Sequence, residues 1–352
     1  MVLLPADHCH HRSHVMVLEQ LEPEEEVYGM KAELTPSKRS VRSFLEGRKA
    51  QKIKMLVLGQ HMNDGWLAKL IIYYLLSIIA FLYLQPFFYM ISTMLKNLTD
   101  LLDPTVKWIP RSIDWSNLER AFKGLKYPES ILNTTTIALF GSLIQVFICG
   151  MTGYALARLK FPGKSLFFGL VFLTFLIPPQ IIIIPLYVIY SKLGWLNTPF
   201  VFLIPALFGQ GLKSALFIII FRQFFRSLPK ALEEAALIDG ASVFRMFFRI
   251  ILPLSLPACL VVFLFSFVWY WNEFYLTSFF LINDFTPLSI RLGSLETVIY
   301  GPNPVAEAKA LNPVTEGTKM AGAFLIVFPP LLLYMVAQRW FVEGIERTGV
   351  VD

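Results

Sequence analysis

Stretches of roughly 20 mainly apolar residues, long enough to cross a bilayer as helix, recur along this chain. No other feature constrains its fold as much. Six stand out: Leu67–Ile91, Thr134–Leu156, Ser165–Ile189, Pro199–Phe221, Leu252–Phe274 and Ala321–Phe341. Hydrocarbon supplies no partners for backbone polar groups, so such runs fold as helices that satisfy their own N–H and C=O groups. Composition agrees. Of 352 residues 55% are apolar and 16% are charged, where a soluble domain carries about 25% charged residues. The expected fold is all-α, a polytopic membrane protein with six transmembrane helices.

An even number of spans puts both termini on one side, and the basic residues say which. With the N-terminus inside, the connection between spans two and three places Arg158, Lys160 and Lys164 inside, and the one between spans four and five adds Arg222, Arg226, Lys230, Arg245 and Arg249. The opposite face carries Lys192 alone after span three, and the segment from Lys96 to Asn133 balances its cations with Asp100, Asp103, Asp114, Glu119 and Glu129. The expectation is N-in, C-in. The net charge of +6 then reflects inner loops, and no basic face suited to nucleic acid stands out.

Residues 1–62 read as a polar, disordered cytoplasmic extension and 63–352 as the transmembrane domain. The head lacks the apolar core and cleavage site of a signal peptide. It holds His8, His10, His11 and His14, but no second ligand cluster completes a closed metal site. Cys9, Cys149 and Cys259 are too scattered for a disulfide framework. Proline interrupts several spans, at Pro178, Pro179 and Pro185, at Pro205, and at Pro329 and Pro330. Each removes a backbone donor and predicts a kink.

Between spans four and five lies "EEAALIDGASVFRMFFRIILPLSLPA", Glu233 to Ala258. Ser227 is a candidate cap with Pro229 in the first turn, and Glu233 and Glu234 suit the positive end of a helix dipole. Gly240 is a natural stop. Ser242 can cap a second helix carrying Phe244, Phe247, Phe248 and Ile251 on one face, before Pro253. Two structured helices exceed what a simple connection needs, which favours docking of a cytoplasmic partner. A helix lying on the lipid surface is the alternative, but such helices favour Lys and Arg on the polar face, whereas the first of these is rich in Ala and acids.

The pattern Glu234-Ala235-Ala236, two residues, Asp239-Gly240-Ala241, then Pro253 resembles the EAA loop of ABC-importer permease subunits. "GYALARLKFPGK", "LGWLNTP", "WNEF" and "AQRWFVEGI" follow in the order of the carbohydrate-type branch related to the smaller permease of maltose importers. The resemblance covers roughly residues 66 to 349. It implies cytoplasmic coupling helices that dock a separate ATPase, with Glu234 and Asp239 as polar contacts, Gly240 as the bend, and Ala235 and Ala236 as the close-packed surface beside Ala241. It further implies a second related permease, two ATPase subunits that hold ATP and Mg, an extracytoplasmic solute-binding protein, a carbohydrate substrate, and residence in a bacterial plasma (inner) membrane. No Gly-x4-Gly-Lys-Ser/Thr loop is present, so no ATP cofactor belongs to this chain. It is expected to be a transporter subunit and not an enzyme, with no catalytic or metal-binding residue.

Lys213 is the one cation near the middle of an expected span, and a charge there needs a cavity, a partner or a route to the interface. Trp269, Trp271 and Asn272 end span five, where aromatic rings can stack on sugars or form an interfacial belt. These four are the pathway candidates. The long segment from Asn283 to Lys319 resembles in position the family loop that reaches into the binding protein. Rival functions are an ABC importer for a non-sugar solute, a non-transporting membrane scaffold, and an ion-coupled transporter. The last would place acids or His within its spans, where this chain has almost none.

Overall fold

The computed structural model describes residues 66–301 and 313–349. Every element among them is helical. The N-terminal extension, residues 302–312 and the last three residues lie outside the described residues. The main helices are α1 Trp66–Met94, α2 Tyr127–Arg158, α3 Lys164–Leu176, α4 Pro179–Lys192, α5 Phe200–Leu207, α6 Ser214–Ser227, α7 Ala231–Ile238, α8 Val243–Met246, α9 Leu256–Asn272 and α10 Glu316–Gly349. The chain divides into two compact units between Ile78 and Ile79, within α1. The packing below is that of the unit from Ile79 onward.

Among the described residues three helices are long and apolar enough to cross a membrane unbroken: Lys69–Met94, Tyr127–Arg158 and Glu316–Arg339. They take in the first, second and sixth expected spans. The third expected span is a bent pair, with α3 and α4 meeting at 97°. Its cause is local: Ile177 and Pro178 are extended, ψ 118° and 137°, because a residue preceding proline is driven out of the helical region, and here two prolines follow in succession. The fifth also comes as a bent pair, Val243–Leu254 and Leu256–Asn272 at 76°.

The fourth expected span, Pro199–Phe221, is not one helix. It divides into α5 and α6 around residues 208–213, where Gly209 and Lys213 both take left-handed backbone, φ 71° and 59°. With each bent pair counted as one, the described residues hold up to five spans. Proline does not always break the rod: α10 runs on through Pro329 and Pro330.

α2 is the axis of the packed unit and lies mainly against α6 and α9. Gly153 permits the approach to α6, since a β-carbon there would sit 2.6 Å from the Phe221 Cβ. Small residues at helix contacts are how membrane bundles gain van der Waals area without a hydrophobic drive between helices. One apolar cluster gathers Cys149, Tyr154, Phe217, Phe221, Phe225, Met246 and Phe247; another gathers Ile137, Phe202, Phe267, Tyr270, Trp271 and Leu288.

The break between α5 and α6 exposes backbone groups that need partners, and α2 supplies one. Gln145, fully buried, donates through Nε2 to the Leu212 carbonyl at 2.7 Å and to Ser214 Oγ at 3.0 Å, and its Oε1 accepts from the Ser266 hydroxyl of α9. The Leu212 N–H donates to the Tyr270 hydroxyl at 3.3 Å. Irregular backbone at membrane depth persists where protein groups satisfy it in this way.

Candidate coupling loop

α6 ends at Ser227 because Pro229 holds Leu228 extended, ψ 142°. Ser227 is therefore not the cap of the next helix. It is the last residue of α6, and its hydroxyl donates back to the Phe224 carbonyl at 2.7 Å. Lys230 occupies the cap position of α7 without a side-chain bond, and Glu233 and Glu234 fall in the first turn as expected. α7 stops at Gly240, φ 73°, with the Ala241 N–H on the Ala236 carbonyl at 3.0 Å and the Gly240 N–H on that of Leu237 at 3.0 Å. Left-handed backbone closing the last turn is the common helix ending that favours glycine. Ser242 then caps α8, its hydroxyl accepting the Arg245 N–H at 3.4 Å. A π-turn over Phe247–Ile251 and a short helix Leu252–Leu254 lead to α9.

The two acidic neighbours point apart. Glu234 is exposed, as are Ala235 and Asp239. The Glu233 side chain is 16% exposed and lies beside that of Arg158, 7% exposed, with Arg158 Nε 3.2 Å from Glu233 Oε1. The Arg158 Nε–H is directed to the Phe225 carbonyl at 2.9 Å, and the guanidinium also donates to the Leu228 carbonyl. The contact with Glu233 is thus Coulombic and not a hydrogen bond, consistent with Oε1 having no donor of its own. Burial pushes the Glu233 carboxyl above the ordinary carboxylate range, against the pull of Arg158 and Lys230.

The expectation that Ala235 and Ala236 share one packed surface divides in the same way: Ala236 is buried in the cluster with Phe225 and Met246, while Ala235 faces out. The second helix is also split. Phe247 and Ile251 are buried, Phe248 stacks on Phe147 at 5.8 Å, and Phe244 is 67% exposed. Ile238, at 87% exposed, joins it beside Glu234 and Asp239, so the free face mixes two apolar knobs with two carboxylates. Sequence reasoning passed over Ile238, Phe244, Glu233 and Arg158 as site residues. The signal for Arg158 was its place in "GYALARLKFPGK".

The pathway candidates do not form one site. Lys213 is exposed at the start of α6 and sits at the break, not within a helix. Trp269 is half-buried against Phe217, ring centres 5.4 Å apart. Trp271 belongs to the core, 2% exposed, with its Nε1 donating to the Ile326 carbonyl of α10 at 2.9 Å. Asn272 is exposed and donates to its own helix, at the Val268 carbonyl, 3.0 Å. A cavity of about 920 Å³ lies elsewhere, between the end of α1, the 98–108 segment and Thr315.

Residues 150–347 match a family described as the binding-protein-dependent transport system inner membrane component. An osmoprotective compounds uptake permease protein of Synechocystis sp. is 31% identical over 290 residues, 80% of this chain and 92% of the relative. An sn-glycerol-3-phosphate transport system permease protein of Pectobacterium atrosepticum is 30% identical over 67% of this chain and 81% of its own length. A probable starch degradation products transport system permease protein of Thermoanaerobacterium thermosulfurigenes is 28% identical over 82% of this chain and 99% of its own. Among solved structures, a chain of a bacterial ABC transporter involved in the import of the acidic polysaccharide alginate aligns with a TM-score of 0.62 and 25% identity, over 78% of this chain and 96% of that one.

Proposed function

The chain belongs to the family of binding-protein-dependent transport system inner membrane components, and from that premise we propose that it is the carbohydrate-importing kind, one of two related permeases that together enclose a translocation pathway. In this reading residues 63–352 form a domain of six spans, N-in and C-in, in a bacterial plasma membrane. The loop of α7 and α8 faces the cytoplasm. Two ATPase subunits hold ATP and Mg, and an extracytoplasmic binding protein delivers solute. This chain hydrolyses nothing; it converts movement of the ATPases into opening and closing of the bundle.

The observation that carries the proposal is the free face of the loop. Glu234, Ile238, Asp239 and Phe244 are exposed on a pair of helices bent at Gly240, a mixture of charge and apolar surface suited to a protein groove. The test is to purify the assembled importer with Glu234→Arg or Asp239→Arg. The ATPase subunits are expected to dissociate, or their hydrolysis to lose its response to loaded binding protein. Solute moved by the chain without any ATPase partner would overturn it.

Carbohydrate as the substrate class is supported by the relative named for starch degradation products and the neighbour named for alginate. The relatives named for glycerol phosphate and osmoprotective compounds favour a second reading, a non-sugar solute for the same machine. Stimulation of ATPase activity by the cognate binding protein loaded with neutral oligosaccharide, uronate oligosaccharide or glycerol phosphate decides between them. Exposed Lys213 and Asn272, half-buried Trp269 and buried Trp271 stay as pathway candidates, and unchanged transport by Lys213→Met would remove the first.

A further inference from the structure

The carbonyls at the end of α6 have lost their helical partners. Pro229 has no N–H, Leu228 is extended, and nothing in the following turn closes onto them. Arg158, the last residue of α2, fills that gap by donating to Phe225 O and Leu228 O. The same guanidinium faces Glu233, one turn into α7. Three elements thus meet at one cation: the central helix of the bundle, the end of α6, and the helix whose opposite face is free. The covalent routes from α7 into the bundle run through the extended Leu228 and Lys230 on one side and through Gly240, the Ser242 cap and a π-turn on the other, and its one buried residue, Ala236, adds only a small apolar contact with the cluster of Phe225 and Met246.

We propose that the Arg158–Glu233 pair is an intrachain strut that transmits displacement of the coupling loop into α2, making both of them positioning residues for transport. The proposal rests on the loop being where the ATPases dock. Glu234 and Glu233 then divide the work: Glu234 meets the partner, and Glu233 ties the loop to the bundle that must move. The arrangement suits a load-bearing contact because neither charge has an easy alternative. Both side chains are largely buried, and a buried charge that loses its partner is left uncompensated. Lys230, the other cation acting on Glu233, belongs to the same loop and so connects it to nothing else. Tyr154 of α2 lies close enough to feel the Glu233 charge and fills the space beneath the pair with its ring packed on Phe225 and Phe247 at 5.6 and 5.3 Å.

The experiment uses the assembled importer in proteoliposomes with its binding protein and solute, and reads three quantities: retention of ATPase subunits on purification, ATP hydrolysed, and solute moved per ATP. Glu233→Gln keeps the shape and removes the charge; Glu233→Asp keeps the charge; Arg158→Lys keeps a cation but replaces the planar fork that spans Phe225 O and Leu228 O with a compact ammonium. Glu233→Gln and Arg158→Lys should keep the ATPases bound and hydrolysing, while solute per ATP falls by about tenfold, within the range by which residues along a coupling network alter coupling. Glu233→Asp should recover most of the ratio. An unchanged ratio in Glu233→Gln refutes the strut. So does loss of the ATPases in both Glu233→Gln and Glu233→Asp, which would put Glu233 in the docking face. Glu234→Arg runs alongside: if it leaves docking and coupling intact, the coupling-loop reading itself has failed, whatever the Glu233 variants do.

Discussion

Replacing Gln145 by leucine is the sharpest test of how the bundle tolerates a broken helix. The substitution keeps volume and adds apolar surface, so a view of the interior as grease expects little change. The geometry expects otherwise. Gln145 makes three hydrogen bonds, to Leu212 O, Ser214 Oγ and Ser266 Oγ, the first part-buried and the other two buried. Interhelical hydrogen bonds in membranes average about 0.6 kcal/mol each, with a maximum near 1.7, so three supply about 2 kcal/mol. The Ser266 hydroxyl can turn back to a carbonyl of its own helix, but the Leu212 carbonyl at the break has no such alternative. Stranding it adds about 1–3 kcal/mol. A loss of about 3–5 kcal/mol is therefore expected for Gln145→Leu. Ser266→Ala, which removes one donor and leaves the break satisfied, should cost about 1 kcal/mol. Reversible unfolding of the purified permease in mixed micelles, with increasing SDS fraction, measures both. If Gln145→Leu lies within about 0.5 kcal/mol of the unaltered chain, the range of an ordinary surface change, the break is not held by this network.

Gly240→Ala should lower stability by about 1 kcal/mol, the cost of left-handed backbone in a residue with a β-carbon, and no more, because that carbon would meet nothing within 4 Å; the same micelle titration reads it. Asn117→Ala should loosen the segment between α1 and α2. This buried amide donates to Met94 O at 3.1 Å and Lys96 O at 2.8 Å and accepts from Thr318 Oγ1 at 3.1 Å, so faster amide exchange there and at the start of α10 is expected, with the loop of α7 and α8 unaffected. Glu233 predicts a pH dependence. Burial raises its folded-state pKa, so between the unfolded and folded values the folded chain holds the extra proton, and stability falls as pH rises through that window. The groups facing it are Arg158 and Tyr154 from α2 and Lys230 from its own loop. Thermal unfolding against pH should show Glu233→Gln losing this dependence, and identical profiles would refute it.

How far the chain could be read in advance differs from residue to residue. The stop at Gly240 and the cap at Ser242 follow from local backbone chemistry, and both stand where the residues put them. Ser227 misled because Ser-Leu-Pro suits a helix start and equally a helix end; which one wins depends on Phe221 and Phe225 continuing the buried face of α6, a tertiary fact. Glu233 and Glu234 are equivalent to a helix dipole. Only the approach of Arg158, from a distant part of the chain, separates them. The break in the fourth expected span was averaged away by its apolar neighbours, although Gly209, Gln210, Gly211 and Lys213 mark it. Trp271 could not be told from Trp269 by position, since what buries it is a carbonyl of α10.

The π-turn at Phe247–Ile251 has one more consequence. A turn closed five residues back holds one residue more than an α-turn, and one residue is worth about 100° of rotation and 1.5 Å of rise. That extra residue sets the compass bearing of everything before it relative to α9. Deleting Phe248, whose ring stacks on Phe147, would swing Glu234, Ile238 and Asp239 about a quarter turn around the axis while leaving each of them intact. The direction in which this loop faces is stored in the length of the chain, at a position that takes no part in what the loop meets.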